Sequence, residues 1–259
     1  QKIVYEPHKI YFKVSEKVNR KQEEKALKVP HLFIPISSGV AQDLREEFKI
    51  DSSKMLVAHD GVNLSLFNGA KNLPPLKIEI LGNTKLVVFS GSFEIWKGVE
   101  CLIKAIKHIS KDDFTVVLAG GRGDNREKIH NLIEEENAQQ KVIDCGFLSQ
   151  MEVVGLLKIA TIGVVPNTGD SAMNRYTSPL KVLEYMAAGL PIVASDLKVL
   201  REVLVENENA IFFRPDNERS LAMKISSLLE DEKQRVELSA NNLRKAKSYS
   251  WEMRAKGIW

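Results

Sequence analysis

The chain has 259 residues, 44% of them apolar and 27% charged, enough for two small domains or one large one with an ordinary globular core. A formal net charge of +3 gives no ground for a nucleic-acid partner. No apolar run approaches the roughly 18 residues of a membrane span.

Cys101 and Cys145 stand far apart without metal-ligand spacing, which fits two buried thiols in a reducing, cytoplasmic compartment better than a disulfide framework. The first thirty residues carry eight Lys/Arg against four Glu. A solvated helix face is the first reading of that excess, and peripheral contact with the inner face of a membrane stays open. The chain begins with Gln1 and enters a strand-like run at once, so it is expected to be a piece of something longer.

In chain order, Ile3-Val4-Tyr5 reads as a short strand and Lys9 to Lys28 as a charged amphipathic helix closed by Pro30. Leu32 to Ile36 is a second strand, Ser37 or Ser38 caps a helix to about Lys49, and Lys54 to Ala58 is a third strand. His59-Asp60-Gly61 is turn chemistry. The stretch 68–84, with its Gly, Asn and Pro74-Pro75, reads as an interdomain linker. From Lys85 a complete β/α alternation begins, with strands at Leu86–Phe89, Phe114–Ala119, Lys141–Cys145, Ile162–Val165, Pro191–Ala194 and Ala210–Phe213. Helices fall near 98–110, 125–138, 150–159, 179–188, 197–206, 217–230 and 232–248. Six strands with helical crossovers predict a doubly wound, Rossmann-like domain. Its ligand is expected beyond the carboxyl ends of the strands, in the loops after Phe89, Ala119, Cys145 and Val165.

The most informative stretch runs from Tyr176 to Gly189. Ser178 is a good N-cap, Pro179 suits the first helical position and Gly189 a C-terminal stop. A helix N-terminus there favours an anion such as a diphosphate. Lys181 in the first turn opposes the helix dipole and so points to a ligand, while Glu184, six residues beyond Ser178, can accept from a vicinal diol such as ribose. The plain alternative is a capped surface helix with a solvated Lys and Glu. A second constellation, Ser90-Gly91-Ser92-Phe93-Glu94-Ile95-Trp96-Lys97-Gly98, follows a strand and precedes a helix, again with a cation at the helix start. Gly120-Gly121-Arg122-Gly123 is a weaker phosphate-loop signal.

These residues resemble the retaining GT-B glycosyltransferases of the glycosyl transferases group 1 family (family four), over the whole chain. Ser-Gly-Ser…Trp-Lys-Gly is similar to the family's diphosphate loop. Cys145-Gly146-Phe147-Leu148 is similar to its loop beside the nucleobase, and Ser178 to Ser195 to the second half of its Glu-x7-Glu segment. The resemblance implies a GT-B, α/β fold: one complete doubly wound Rossmann-like C-terminal domain (85–248) plus the remnant of an N-terminal, acceptor-side Rossmann-like domain (1–67). Residues 249–259 would return to the first domain. It implies transfer of a sugar from a nucleotide diphosphate donor to a hydroxyl on a glycan or lipid-linked acceptor, with no cofactor and no metal.

Carried over residue by residue, Lys97 contacts the diphosphate and Glu184 the ribose. Gly91, Ser92, Gly120, Gly121, Phe147, Leu148, Ser178, Leu180 and Lys181 line the nucleotide. His8 resembles a histidine facing the transferred sugar, so His8, Lys97 and Glu184 form the catalytic set. The chain departs from the pattern at Ser92, where the family has Arg, at Tyr176, where it has the first Glu, and at Pro179, where it has Gly. Thr168, Asn174 and Tyr176 are then the expected sugar contacts. Two alternatives stand: a non-catalytic nucleotide-binding or scaffold protein of the same fold, and a dehydrogenase, which lacks its Gly-x-Gly-x-x-Gly turn here.

Overall fold

The computed structural model describes residues 3–14, 17–68 and 84–259. The chain opens with β1 (Val4–Tyr5), α1 (Tyr11–Val14), α2 (Arg20–Ala26), β2 (Leu32–Phe33), α3 (Ser38–Phe48) and α4 (Leu64–Asn68). β1 and β2 pair in parallel, and Ile10, Leu27, Phe33, Val40 and Leu44 close a small core around them.

Six further strands follow: β3 (Lys85–Gly91), β4 (Phe114–Gly120), β5 (Val142–Asp144), β6 (Ile162–Val165), β7 (Ile192–Ser195) and β8 (Ala210–Phe213). They form one parallel sheet in the order β5-β4-β3-β6-β7-β8. The connecting helices are α5 (Val99–Ala105), α6 (Gly123–Glu135), α7 (Gln150–Ile159), α8 (Leu180–Ala188) and α9 (Lys198–Arg201). The chain ends in α10 (Glu218–Glu230), α11 (Glu232–Ala246) and α12 (Trp251–Ile258). The direction of winding reverses between β3 and β6, where a doubly wound sheet opens its ligand crevice.

The two faces of the sheet are read off the period-two alternation of strand side chains. Val87, Phe89, Val116, Leu118, Ile211 and Phe213 pack on one side with α5, α6 and α10. Leu86, Val88, Val117, Ala119, Ala210 and Phe212 pack on the other with α7 and α8. Because both faces are covered, the strands are apolar almost throughout, which is why they are conspicuous in the sequence. Each such Val, Leu or Phe contributes roughly 1.5–3 kcal/mol on burial.

Several expectations fail locally. The helix expected over Lys9–Lys28 forms as two short pieces among the described residues. The second piece starts at a capping box: Gln22 N–H donates to Asn19 Oδ1 (3.0 Å) and Asn19 N–H to Gln22 Oε1 (3.1 Å). The strand expected at Lys54–Ala58 reduces to a single bridge, Met55 with Phe33, because Asp51 caps a 3-10 turn that takes up Ser52–Lys54. The helix expected over 197–206 stops at Arg201; Asn209 then accepts from the Val205 N–H (2.7 Å) and holds a turn. The expected linker, 68–84, lies outside the described residues except at its two ends.

The last segment lies against the first lobe. Val62 N–H donates to Tyr249 C=O (2.8 Å). Arg254 of α12 donates to the His59 carbonyl and to Glu6, each at 2.7 Å.

Candidate functional site

A cleft of about 710 Å³ lies over the carboxyl ends of β3, β4, β5 and β6 and the start of α8. Behind its wall lies Tyr185, fully buried on α8, whose hydroxyl accepts from the Ser90 N–H at the end of β3 (2.9 Å). That bond fixes α8 against the switch point and brings Lys181 and Glu184 into the cleft wall.

Lys97 enters from the opposite side. It ends a 3-10 turn, and Gly98 reverses the chain at φ +69° into α5. A Cβ at position 98 would stand 1.9 Å from the Pro166 carbonyl oxygen, so only glycine lets this turn lie against the loop after β6. Lys97 Nζ sits 3.6 Å from the centroid of the Trp96 ring. Burial pushes its pKa down to about 8, and the Glu94 carboxylate opposes that shift. Glu94 is itself held by the Trp96 Nε1–H (2.8 Å) and the Ser92 hydroxyl (3.3 Å).

Lys181 is the less ordinary cation. Its Nζ is buried without a hydrogen-bond partner and lies 3.6 Å from the Phe89 ring centroid. The ring offers an ammonium on the order of 2 kcal/mol, while removal from water without a counter-charge costs several kcal/mol. Burial wins. The pKa of Lys181 is held well below that of an ordinary lysine, with Lys97 adding to the effect and Glu184 opposing it. Burial also raises the Glu184 carboxyl, against the pull of Lys181.

Other expected residues are placed differently. Gly120 and Gly121 line the cleft, but their N–H groups donate to the carbonyls of Gly146 (2.6 Å) and Gly91 (3.2 Å). They shape the wall more than they offer free donors. Phe147 is 67% exposed, with the Arg122 guanidinium 4.0 Å from its ring centroid, a stacking pair at the rim. Leu148 lines the wall beside it.

Ser178 is not the helix cap: its hydroxyl accepts from the Asp60 N–H of the first lobe (2.8 Å), and α8 begins two residues later with Pro179 in the cap position. The Leu180 N–H turns back to the Ser178 carbonyl (2.9 Å), and those of Val182 and Leu183 meet Pro179 (2.8 and 3.2 Å). Positive charge at this end of the cleft therefore comes from Lys97 and the helix dipole more than from loose amides.

None of the three expected sugar contacts lines the cleft. Tyr176 turns into the first lobe's core, and its hydroxyl donates to Asp43 (2.5 Å). Thr168 donates its N–H to Trp96 C=O (3.0 Å) and accepts from the Asn174 amide. His8 is also outside the cleft lining, with Nε2 3.2 Å from Glu6.

Asn167, which the sequence reading passed over, does line the cleft. Asn174 Nδ2 donates to the Thr168 carbonyl, which can only accept, so Asn174 Oδ1 must receive the Asn167 Nδ2 (3.2 Å). The orientation of both amides is thereby fixed, and Asn167 Oδ1 is left buried with no partner among the described residues. Its position in the loop after the fourth sheet strand was the available signal. No group of three or more His, Cys, Asp or Glu among the described residues could hold a metal ion.

A doubly wound parallel sheet with a cleft over its switch point defines a Rossmann-like domain, and the architecture is of the GT-B type. The profile of the glycosyl transferases group 1 family matches residues 76–245, and the chain belongs to that family. An uncharacterized glycosyltransferase of Methanocaldococcus jannaschii, MJ1607, is 27% identical over 230 residues, covering 86% of this chain and 57% of its own length. A D-inositol 3-phosphate glycosyltransferase of Corynebacterium glutamicum is 24% identical over 221 residues, 81% of this chain and 51% of that protein. The chain thus spans little more than half the length of these curated relatives. Among solved structures, HepE of Anabaena in complex with UDP superposes with a TM-score of 0.79 at 18% identity, covering 100% of this chain and 71% of that one. A glycosyltransferase from Rickettsia africae gives 0.78 at 21%, covering 98% and 68%. At such identities the likeness is one of fold. No helix among the described residues is long and apolar enough to cross a membrane.

Proposed function

We propose that the chain is the donor-binding part of a retaining glycosyltransferase. It binds a nucleotide diphosphate sugar in the 710 Å³ cleft and passes the sugar to a hydroxyl on a glycan or lipid-linked acceptor. The observation that carries this reading is the pair of half-buried lysines, Lys97 and Lys181, in the wall of one cleft over the switch point of a Rossmann-like sheet. In transfer the nucleoside diphosphate leaves with the bonding pair, and charge grows where these cations lie. Preorganised positive charge stabilises that departure. Glu184 accepts from the ribose diol, and the Arg122–Phe147 pair stacks against the base. Residues 1–67 are read as the acceptor-side remnant, 68–84 as the linker, 85–248 as the donor domain and 249–259 as the returning segment. The basic first thirty residues suit work at the inner face of a membrane.

UDP is the first nucleotide to test, because HepE was solved with it. Thermal unfolding with UDP, GDP, ADP and their hexose conjugates checks the reading. A ligand at 100 times its dissociation constant adds about 2.7 kcal/mol, a shift of several degrees. If none of them moves the transition, the cleft is not a nucleotide site. The position of Tyr176, inside the first lobe where the family carries a carboxylate, favours a second reading, nucleotide binding without turnover. Release of UDP from UDP-glucose in the presence of acceptors separates the two.

A further inference from the structure

The surroundings of Lys181 are unusual for a cation. Its Nζ lies against the Phe89 ring and would stand 3.3 Å from a Cβ at position 91, directly beneath the exposed Gly91 backbone. The absence of a side chain on Gly91 is what makes that space. β3 supplies only Phe89, Ser90 and Gly91 here, none of them charged. The charged groups that face the amine are Lys97, across the cleft wall, and Glu184, three residues on along α8. Lys97 repels a positive charge, and Glu184 makes no hydrogen bond to Nζ. An ammonium so placed has neither solvent nor a bonded counter-charge, and a lysine in that position holds its proton less tightly than a free one. The residue as a whole is only partly buried, so the flexible stem can re-aim the amine toward the cleft.

We propose that Lys181 is stored as a neutral amine while the cleft is empty and becomes the second phosphate-binding cation by taking one proton from solvent as a diphosphate arrives. The inference rests on the nucleotide-sugar reading given above. The proton passes from buffer or water to the amine lone pair, and no covalent bond to carbon or phosphorus is made or broken. Binding is then linked to protonation, and its pH dependence differs from that of a site built from permanent cations. Lys97 does not account for the same uptake at neutral pH, since with a pKa of about 8 it is already mostly charged at pH 7.

The test is calorimetric titration at pH 7 in buffers of different ionisation enthalpy, using whichever of UDP-glucose, GDP-mannose and ADP-glucose the wild type binds. These diphosphate diesters do not titrate near pH 7, so any proton exchanged belongs to the protein. Between about half a proton and one proton should be taken up per donor bound, read from the slope of enthalpy against buffer ionisation enthalpy. Lys181→Met and Lys181→Gln should bind about tenfold more weakly or worse, with no uptake, and Lys181→Met should unfold no lower than wild type. Lys97→Met should bind weakly yet keep the uptake. Donor binding by the wild type without proton exchange, or uptake that survives in both Lys181 variants, overturns this inference and leaves the nucleotide-sugar reading intact. Failure of the wild type to bind any of the three donors overturns that reading, and the inference falls with it.

Discussion

Replacing Lys97 by Met should stabilise the empty protein and weaken the donor complex. The amine's pKa is about 8 in the fold against 10.5 for a free lysine. The gap corresponds to about 3 kcal/mol of burial penalty on the charged form. Partial solvent access and the lost contact with the Trp96 ring reduce the gain expected on substitution to about 1–2 kcal/mol. The sign follows from proton counting. Between pH 8 and 10.5 the unfolded chain holds the lysine proton and the folded one does not, so wild-type stability rises across that window. Below pH 8 the penalty is fully present, and above 10.5 it is gone. Urea unfolding at pH 7, 9 and 10 should therefore show an advantage for Lys97→Met that is largest at pH 7 and shrinks with rising pH. Calorimetric titration with UDP-glucose, or with whichever donor binds, should show affinity reduced by about tenfold or more. A variant that is less stable than wild type at pH 7, or one that keeps full donor affinity, would refute the argument.

Glu184→Ala should weaken nucleotide binding by about tenfold or more, since a hydrogen bond to a charged group is worth roughly 1.5–3 kcal/mol; calorimetry with the preferred nucleotide checks it, and equal affinities would remove Glu184 from the site. Asn167→Ala should lower affinity for the sugar nucleotide about three- to tenfold and leave that for the bare nucleoside diphosphate unchanged, because its unpartnered carbonyl suits a sugar hydroxyl; equal losses for both ligands would place it at the phosphates. Tyr176→Phe should cost about 1–2 kcal/mol of stability in chemical denaturation through the lost bond to Asp43, with donor affinity intact. Transfer by the complete enzyme should survive EDTA, and activity abolished by chelation and restored by Mg²⁺ would contradict a phosphate site built on lysines.

The sheet was legible because strands buried on both faces advertise themselves as β-branched runs, and all six of its strands lie where those runs are. Lys181 and Lys97 stood out in the sequence for a different reason: a cation at a helix start opposes the dipole, and both side chains line the cleft. What was not legible depends on partners distant in sequence. Ser178 reads as an N-cap because a serine before Pro and an apolar helix has that local chemistry. The fold spends its hydroxyl on Asp60, 118 positions away. Tyr176, Asn174 and Thr168 are near the site in sequence, but spacing within a loop does not say which way a side chain turns, and the first lobe claims the tyrosine. Asn167 escaped notice because its role rests on an amide orientation fixed by a neighbour seven residues on.

The same contacts explain how the first lobe can bear on the cleft in the second. The Ser37 hydroxyl donates to the Arg175 carbonyl (2.7 Å), and the Arg175 side chain meets Asp43 at 2.9 Å. Tyr176 fills the first lobe's core, and Asp60 grips Ser178. Four consecutive positions, 175–178, thus lead directly into the turn that presents Lys181 and Glu184, and three of them are anchored to α3 or to the residues after β2. Asp43, 1% exposed, also pairs with Lys13 at 3.2 Å, so this anchor is a buried, multiply bonded carboxylate rather than a screened surface pair. A carboxylate held in that way resists displacement because losing any one partner leaves buried charge unsatisfied. The start of α8 is therefore positioned from two sides, by Tyr185 against β3 and by the first lobe through residues 175–178. A shift of the first lobe that breaks these bonds would move the start of α8, and with it one wall of the cleft, while leaving the sheet untouched.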